Sequence, residues 1–362
     1  MMPSTKKSTS RRALLLSGTG AVAATITAPA IAQPLPQRRW RCVTSWSKNL
    51  PGPGVSAERL AQRISEMSDR ELVVEVFPAG TIVPALSVLD AVSTGTVEMG
   101  HTAALFWAGK MPAAPLFTTV PFGLDPLAHA AWLMGGGQQL WDELYATQNV
   151  KPFVGGNTGP SAAGWFRRPV NSLIDLKGLR IRSTGLGGEV YSALGATASV
   201  IPPADTYAAL ERGVIDAVEL LAPMNDAPLG FSRIAKHCLV PGFNKPNGAS
   251  EFLIRLDLWQ ALPTHLKAII VNACHAEHEA GLADAELQNG RALREIMREG
   301  VRVEAVPKDI LEAAQPAARA VIDRIAAADS RSARIVASYR DALANIGGWS
   351  GLADVGRYVP RR

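Results

Sequence analysis

The sequence predicts an α/β protein of two lobes with a ligand cleft between them and long C-terminal helices. Three observations carry that reading. Short apolar runs alternate with amphipathic segments along most of the chain, as strands and helices do in an α/β fold. About 330 residues follow an N-terminal leader, too many for one ordinary core and suited to two domains. One helix–turn–strand unit also occurs twice: Ala91-Val92-Ser93-Thr94-Gly95-Thr96-Val97-Glu98 aligns with Ala209-Leu210-Glu211-Arg212-Gly213-Val214-Ile215-Asp216. Each copy places Gly where a left-handed helix cap is wanted, then opens a strand with a β-branched residue and an acid.

The leader is residues 1–32. Lys6, Lys7, Arg11 and Arg12 precede an apolar, Ala-rich stretch ending in Ala30-Ile31-Ala32, the layout of a secretory signal. Arg11 and Arg12 directly before that stretch fit the twin-arginine route. Thr19, Thr25, Thr27 and Pro29 weaken it as a membrane span. Its removal lowers the formal charge from +5 to +1, so the basic whole-chain balance does not point to nucleic acid. Cys42, Cys238 and Cys274 match no metal spacing and read as buried thiols, with one disulfide plus a free thiol as the alternative.

In order, residues 41–46 read as a strand and 54–67 as a helix with Val55, Leu60, Ala61 and Ile64 on one face. Residues 71–77 alternate as a second strand, 84–93 form a helix stopped by Gly95, and 97–102 are a third strand. Stretches 109–126 and 135–138 are loop-rich, and 151–164 is a Gly- and Asn-rich segment. A strand at 179–182 leads through a Gly loop to a helix at 189–194. Asp205 caps a helix at 206–211. An alternating strand at 250–256 is followed by two long helices, about 263–299 and 308–346, the second breakable at Pro316. The tail from Gly347 shows no periodicity.

Arg182 stands where a strand ends, before Gly185-Leu186-Gly187-Gly188 and a helix start. A guanidinium there faces the ligand edge of an open sheet and matches a carboxylate bidentately. The alternative is a surface arginine paired with Asp175. The glycine run fails the dinucleotide spacing, since Val190 occupies the third glycine position. No nucleophile elbow or zinc-protease motif is present. His275 and His278 beside Glu277 and Glu279 read as a solvated helix surface. Polar and aromatic residues gather in loops at Trp46, Asn49, Phe106, Trp107, Asn157 and Asn225, a composition that orients a small polar ligand without reacting with it.

Several longer stretches carry a resemblance. They include Ser45-Trp46 with Asn49-Leu50-Pro51-Gly52, Glu98-Met99-Gly100-His101, Val120-Pro121-Phe122-Gly123, Gly155-Gly156-Asn157-Thr158-Gly159 and Asp175-Leu176-Lys177-Gly178-Leu179-Arg180-Ile181-Arg182. The chain resembles the substrate-binding subunits of tripartite ATP-independent periplasmic (TRAP) transporters, in the branch of 2-oxo acid and lactate binders. The resemblance implies a periplasmic-binding-protein-like fold. One lobe would be about 39–157 plus 247–300, the other about 158–246, and 301–362 a helical segment packed across the lobes or in a dimer. It also implies capture of a small organic acid for integral-membrane subunits, with an orphan ligand sensor of the same fold as the alternative and no enzymatic activity.

The resemblance gives Arg182 the ligand carboxylate. It also implies a metal ion beside that carboxylate, at positions that are Ser161, Glu219 and Lys245 here, with Leu220 where an aromatic is usual. Two of three side-chain ligands are lost, so no cofactor or metal is expected. Lys245 paired with Glu219 would supply the positive charge instead. Thr102-Ala103-Ala104-Leu105-Phe106, with Ala162, Ala163, Leu220 and Leu221, suggests a ligand with an apolar or aromatic part. The expected ligand-binding residues are thus Arg182, Asn157, Ser161, Glu219, Leu220, Lys245, Phe106, Trp46 and Asn225.

Overall fold

The computed structural model describes residues 37–353, so the export-signal reading lies outside the described residues. Among the described residues, eleven strands form two sheets: β1 (Arg38–Thr44), β2 (Leu72–Phe77), β3 (Met99–Thr102), β4 (Val150–Asn157), β5 (Gly164–Phe166), β6 (Arg180–Arg182), β7 (Thr197–Ser199), β8 (Ala217–Val218), β9 (His237–Val240), β10 (Ala249–Arg255) and β11 (Arg302–Ala305). The first sheet runs β2-β1-β3-β10-β4 and the second β11-β9-β5-β8-β6-β7.

These orders express one plan twice. In the first sheet β1 is parallel to β2 and β3, and β10 enters antiparallel between β3 and β4. In the second, β6 is parallel to β7 and β8, and β5 enters antiparallel between β8 and β9. Each lobe thus borrows its antiparallel strand from the chain segment that has just left the other lobe. The repeated sequence unit occupies equivalent places, before β3 and before β8. Gly95 and Gly213 both take positive φ. Val97 donates to the Ala91 carbonyl as Ile215 donates to that of Ala209.

The helix Thr264–Arg298 ties the lobes together. Leu266, Ile270 and Ala273 sit in the first lobe's core with Leu60, Ile64 and Phe252, while Ile296 sits in the second lobe's core with Trp165 and Phe231. At 1.5 Å per residue it spans about 50 Å. The C-terminal helices reach both lobes: Lys308–Ala326 packs on Gly185–Ala193, and Ser330–Ala353 on Pro126–Trp132. No helix of the described residues is long and apolar enough to cross a membrane. All three cysteines are free and buried.

Several sequence expectations are corrected. The Gly loop at 185–188 is the first turn of the helix Gly185–Ala193. The Gly- and Asn-rich segment begins with β4, because its glycines sit where Ser56 and His101 press close to the sheet. Pro126–Trp132 and Gln138–Ala146 are helices, and Arg302–Ala305 is an edge strand of the second sheet. The final helix breaks at 327–329, where Asp329 accepts from the Arg331 and Ser332 amides; Pro316 lies within Lys308–Ala326 without ending it. Asp205 precedes its helix but makes no capping bond. Glu277 is fully buried and held by Arg59, not solvated.

Candidate functional site

The cavity between the lobes opens off the carboxyl ends of strands from both sheets, where open α/β sheets receive ligands. Trp46 follows β1, Ala103, Leu105 and Phe106 follow β3, Arg182 ends β6, and Leu220 and Leu221 follow β8; all line it. Lys245, Thr118, Thr158, Thr184 and Ser250 complete the polar lining. The cavity encloses about 40 Å³, roughly three times what one water molecule needs. That is room for a small acid, and most of its wall is apolar.

Arg182 is buried with only 1% of its surface exposed. Its Nε donates to the Ile201 carbonyl at 3.0 Å and Nη1 to the Glu219 carbonyl at 2.7 Å. Those bonds fix the planar fork, and its remaining N–H groups have no protein partner among the described residues. Asp175 plays no part, because it caps a turn by accepting from the Asn171 and Ser172 amides. Burial lowers the Arg182 pKa, against the pull of Glu219 and Asp226, yet a guanidinium stays charged.

Lys245 and Glu219 form a charge pair at the same cavity, with Lys245 in its wall. The Lys245 ammonium is 2.5 Å from Glu219 Oε1 and donates to the Leu220 carbonyl at 2.5 Å. Glu219 Oε2 accepts from the Ser183 hydroxyl at 2.9 Å. Ser161 turns its hydroxyl to the Lys245 carbonyl, anchoring the loop instead of facing the cavity. Asp226 accepts from the Trp165 indole and the Leu221 amide, and burial pushes its carboxyl up to about 7.

The first lobe supplies the aromatic wall. Trp46 donates its indole N–H to His101 Nδ1 at 2.8 Å, and His101 Nε2 donates to the Gly155 carbonyl at 2.9 Å. This chain fixes the neutral tautomer, and burial pushes the imidazole down to about 4. Phe106 lies 6.0 Å from Trp46, centroid to centroid. Thr118 was not legible in the sequence, since its loop has no periodicity. The residue lines the cavity, and its hydroxyl is buried without a partner among the described residues. A buried hydroxyl without a partner is costly, so it marks a place for a ligand's polar atom.

Of the expected site residues, Arg182, Lys245, Leu220, Phe106 and Trp46 meet at this cavity, with Glu219 directly behind Lys245. Three others serve the frame. Asn157 ties Asn247, His278 and the Gly159 and Gly248 amides together at the crossover between lobes. Asn225 reaches across the cleft to donate to the Pro51 carbonyl at 2.9 Å. Ser161 holds the loop. Ala162 and Ala163 also lie outside the lining; Ala163 pairs with the Leu239 backbone.

The profile of the bacterial extracellular solute-binding proteins, family 7, matches residues 45–329. A monocarboxylate 2-oxoacid-binding periplasmic protein of Nostoc sp. is 37% identical over 317 residues, covering 87% of each chain. A TRAP transporter solute-binding protein of Bordetella bronchiseptica is 34% identical with a TM-score of 0.87, covering 89% of this chain and 96% of its own. That structure is a mixed-occupancy dimer with copurified calcium and picolinate. A TRAP solute-binding protein of Pseudoalteromonas atlantica, with bound sodium and pyruvate, is 33% identical with a TM-score of 0.86, covering 90% and 100%. This chain belongs to the family 7 extracellular solute-binding proteins and is a periplasmic solute-binding protein of the TRAP type, a receptor family and not an enzyme family.

Proposed function

We propose that the protein captures a small monocarboxylate, a 2-oxo acid foremost, and presents it to the membrane subunits of a TRAP transporter. The observation that carries this reading is Arg182, buried at a cavity of about 40 Å³ with part of its fork unpartnered. A guanidinium in that state calls for a planar anion, and a carboxylate accepts two parallel bonds from it. The unpaired Thr118 hydroxyl suits a 2-oxo or 2-hydroxy oxygen. The Nostoc relative binds monocarboxylate 2-oxoacids and the Pseudoalteromonas neighbour holds pyruvate, in line with the size of the cavity. Leu50, Leu105, Leu220 and Leu221 admit a short apolar tail but little more.

Calorimetric titration of the ligand-free protein with pyruvate and a panel of monocarboxylates tests the reading. We expect one acid bound per chain, and Arg182→Met to weaken binding by about 100-fold or more, because the anion then enters a buried site without its partner. Equal affinity of Arg182→Met and wild type, with the fold intact by circular dichroism, would refute it.

A further inference from the structure

In the Bordetella and Pseudoalteromonas structures a metal ion accompanies the acid, and the donor set here does not fit one. Of the three positions that the resemblance assigns to metal ligands, Ser161 faces the Lys245 backbone and Lys245 is itself a cation. The two oxygens best placed to bind a metal, Glu219 Oε1 and the Leu220 carbonyl, each have the Lys245 ammonium 2.5 Å away. Calcium sits 2.3–2.6 Å from its oxygen ligands, and it prefers six to eight of them. The ammonium therefore stands at about the distance an ion would take from those oxygens. It adds only donors, which a cation cannot use. Among the described residues no cluster of three or more His, Cys, Asp or Glu side chains could hold a metal elsewhere.

Resting on the carboxylate-receptor reading, we infer that Lys245 replaces the ligand-associated metal ion and that this receptor binds its acid without metal. The charge balance supports the exchange. Arg182 and Lys245 bring two positive charges to the cavity and Glu219 one negative charge, while the Asp226 carboxyl is turned to Trp165 and Leu221. With the Asp226 carboxyl protonated, the form its burial favours, one positive charge is left over and a single carboxylate cancels it. A second carboxylate would enter a small, mostly apolar cavity without a partner, which is strongly unfavourable. The site thus selects monocarboxylates over dicarboxylates. One ammonium N–H is donated to the Leu220 carbonyl, while Glu219 Oε1 meets the ammonium as an ion pair without an aligned hydrogen bond, so the ammonium keeps N–H groups for the ligand.

The test uses the full-length mature protein, dialysed against EDTA, with pyruvate and calcium chloride as probes. In calorimetry, wild type should bind pyruvate with a dissociation constant that changes by less than about twofold between EDTA and calcium. Calcium alone should leave its melting temperature unchanged. Lys245→Glu places a second carboxylate beside Glu219. It should lose pyruvate binding in EDTA, gain a calcium-dependent rise in melting temperature, and recover pyruvate binding when calcium is present. The pair Glu219→Gln with Lys245→Met removes both charges together, so no buried charge is stranded. It should weaken pyruvate by about tenfold or more in both buffers.

A wild-type protein that binds pyruvate about tenfold more weakly in EDTA, with calcium restoring it, overturns the proposal. So does a wild-type melting temperature that rises with calcium alone. If no monocarboxylate binds wild type in either buffer, the ligand reading fails. The calcium melting shifts of wild type and Lys245→Glu still decide the metal question by themselves.

Discussion

Glu251 shows how one residue ties stability to pH. Its carboxylate lies in the first lobe's core, accepting from the Trp107 indole and the Tyr145 hydroxyl, and burial pushes it up to about 8. The native state then keeps a proton that the unfolded chain, with a value near 4.5, gives up. Between those values the native state binds more protons, so this residue's contribution to stability falls as pH rises. Glu251→Gln keeps the shape, accepting from Trp107 and donating to Tyr145. Its melting temperature should therefore gain on wild type as pH rises from about 5 to about 8; a difference constant with pH would contradict this. Nothing local announced Glu251, since its partners lie 144 and 106 residues away in the chain. The position of Arg182 was legible because it depends on where a strand ends, which is a local property. Asn157, Asn225 and Ser161 have ligand-like chemistry, but their neighbours, visible only after folding, turn them to structural bonds.

At the scale of elements, the repeated helix–turn–strand unit was legible because both copies solve the same local problem. Each must stop a helix with a left-handed glycine and start a strand. The structure adds a correspondence that the alignment of the two units did not contain: Glu98 pairs with Arg41 as Asp216 pairs with Arg180, each across neighbouring parallel strands. Elements without strong periodicity were missed. The short helices 126–132 and 138–146 are joined through Gly135, Gly136 and Gly137, and β11 is four residues long.

Helix packing depends on one buried charge. Arg59 on Pro53–Met67 makes a two-pronged bond to Glu277 on the long helix and a further one to Asp284. Glu277 is fully buried, and Arg63 stands only at 3.6 Å. Arg59→Met should cost about 3 kcal/mol in urea unfolding, because the carboxylate is left without a close partner. Adding Glu277→Gln should recover part of that loss. An Arg59→Met variant as stable as wild type would show that the contact does not hold the helices together.

At the scale of the whole molecule, the lobes meet closely around a small cavity. Gly52, at φ +79°, lies so near Asn225 that a Cβ there would fall 2.3 Å from its amide nitrogen, and one on Gly185 would fall 2.9 Å from Leu105. The Phe122 amide bonds the Phe243 carbonyl across the same gap. Two cations from the second lobe then face aromatic and hydroxyl groups from the first, and neither lobe alone encloses an acid. The two-lobed plan could be read from length and repetition. The antiparallel placement of β5 and β10 within their sheets could not, because strand pairing over such distances leaves no local trace. We propose that a carboxylate is held between the lobes by Arg182, with the Lys245 ammonium beside it. A crystal structure of the protein grown with pyruvate is the decisive test. The carboxylate should lie on the Arg182 fork, with Lys245 Nζ within hydrogen-bonding distance of the acid and no metal between them. Pyruvate bound away from Arg182, or a metal ion at Glu219 with Lys245 displaced, would contradict it.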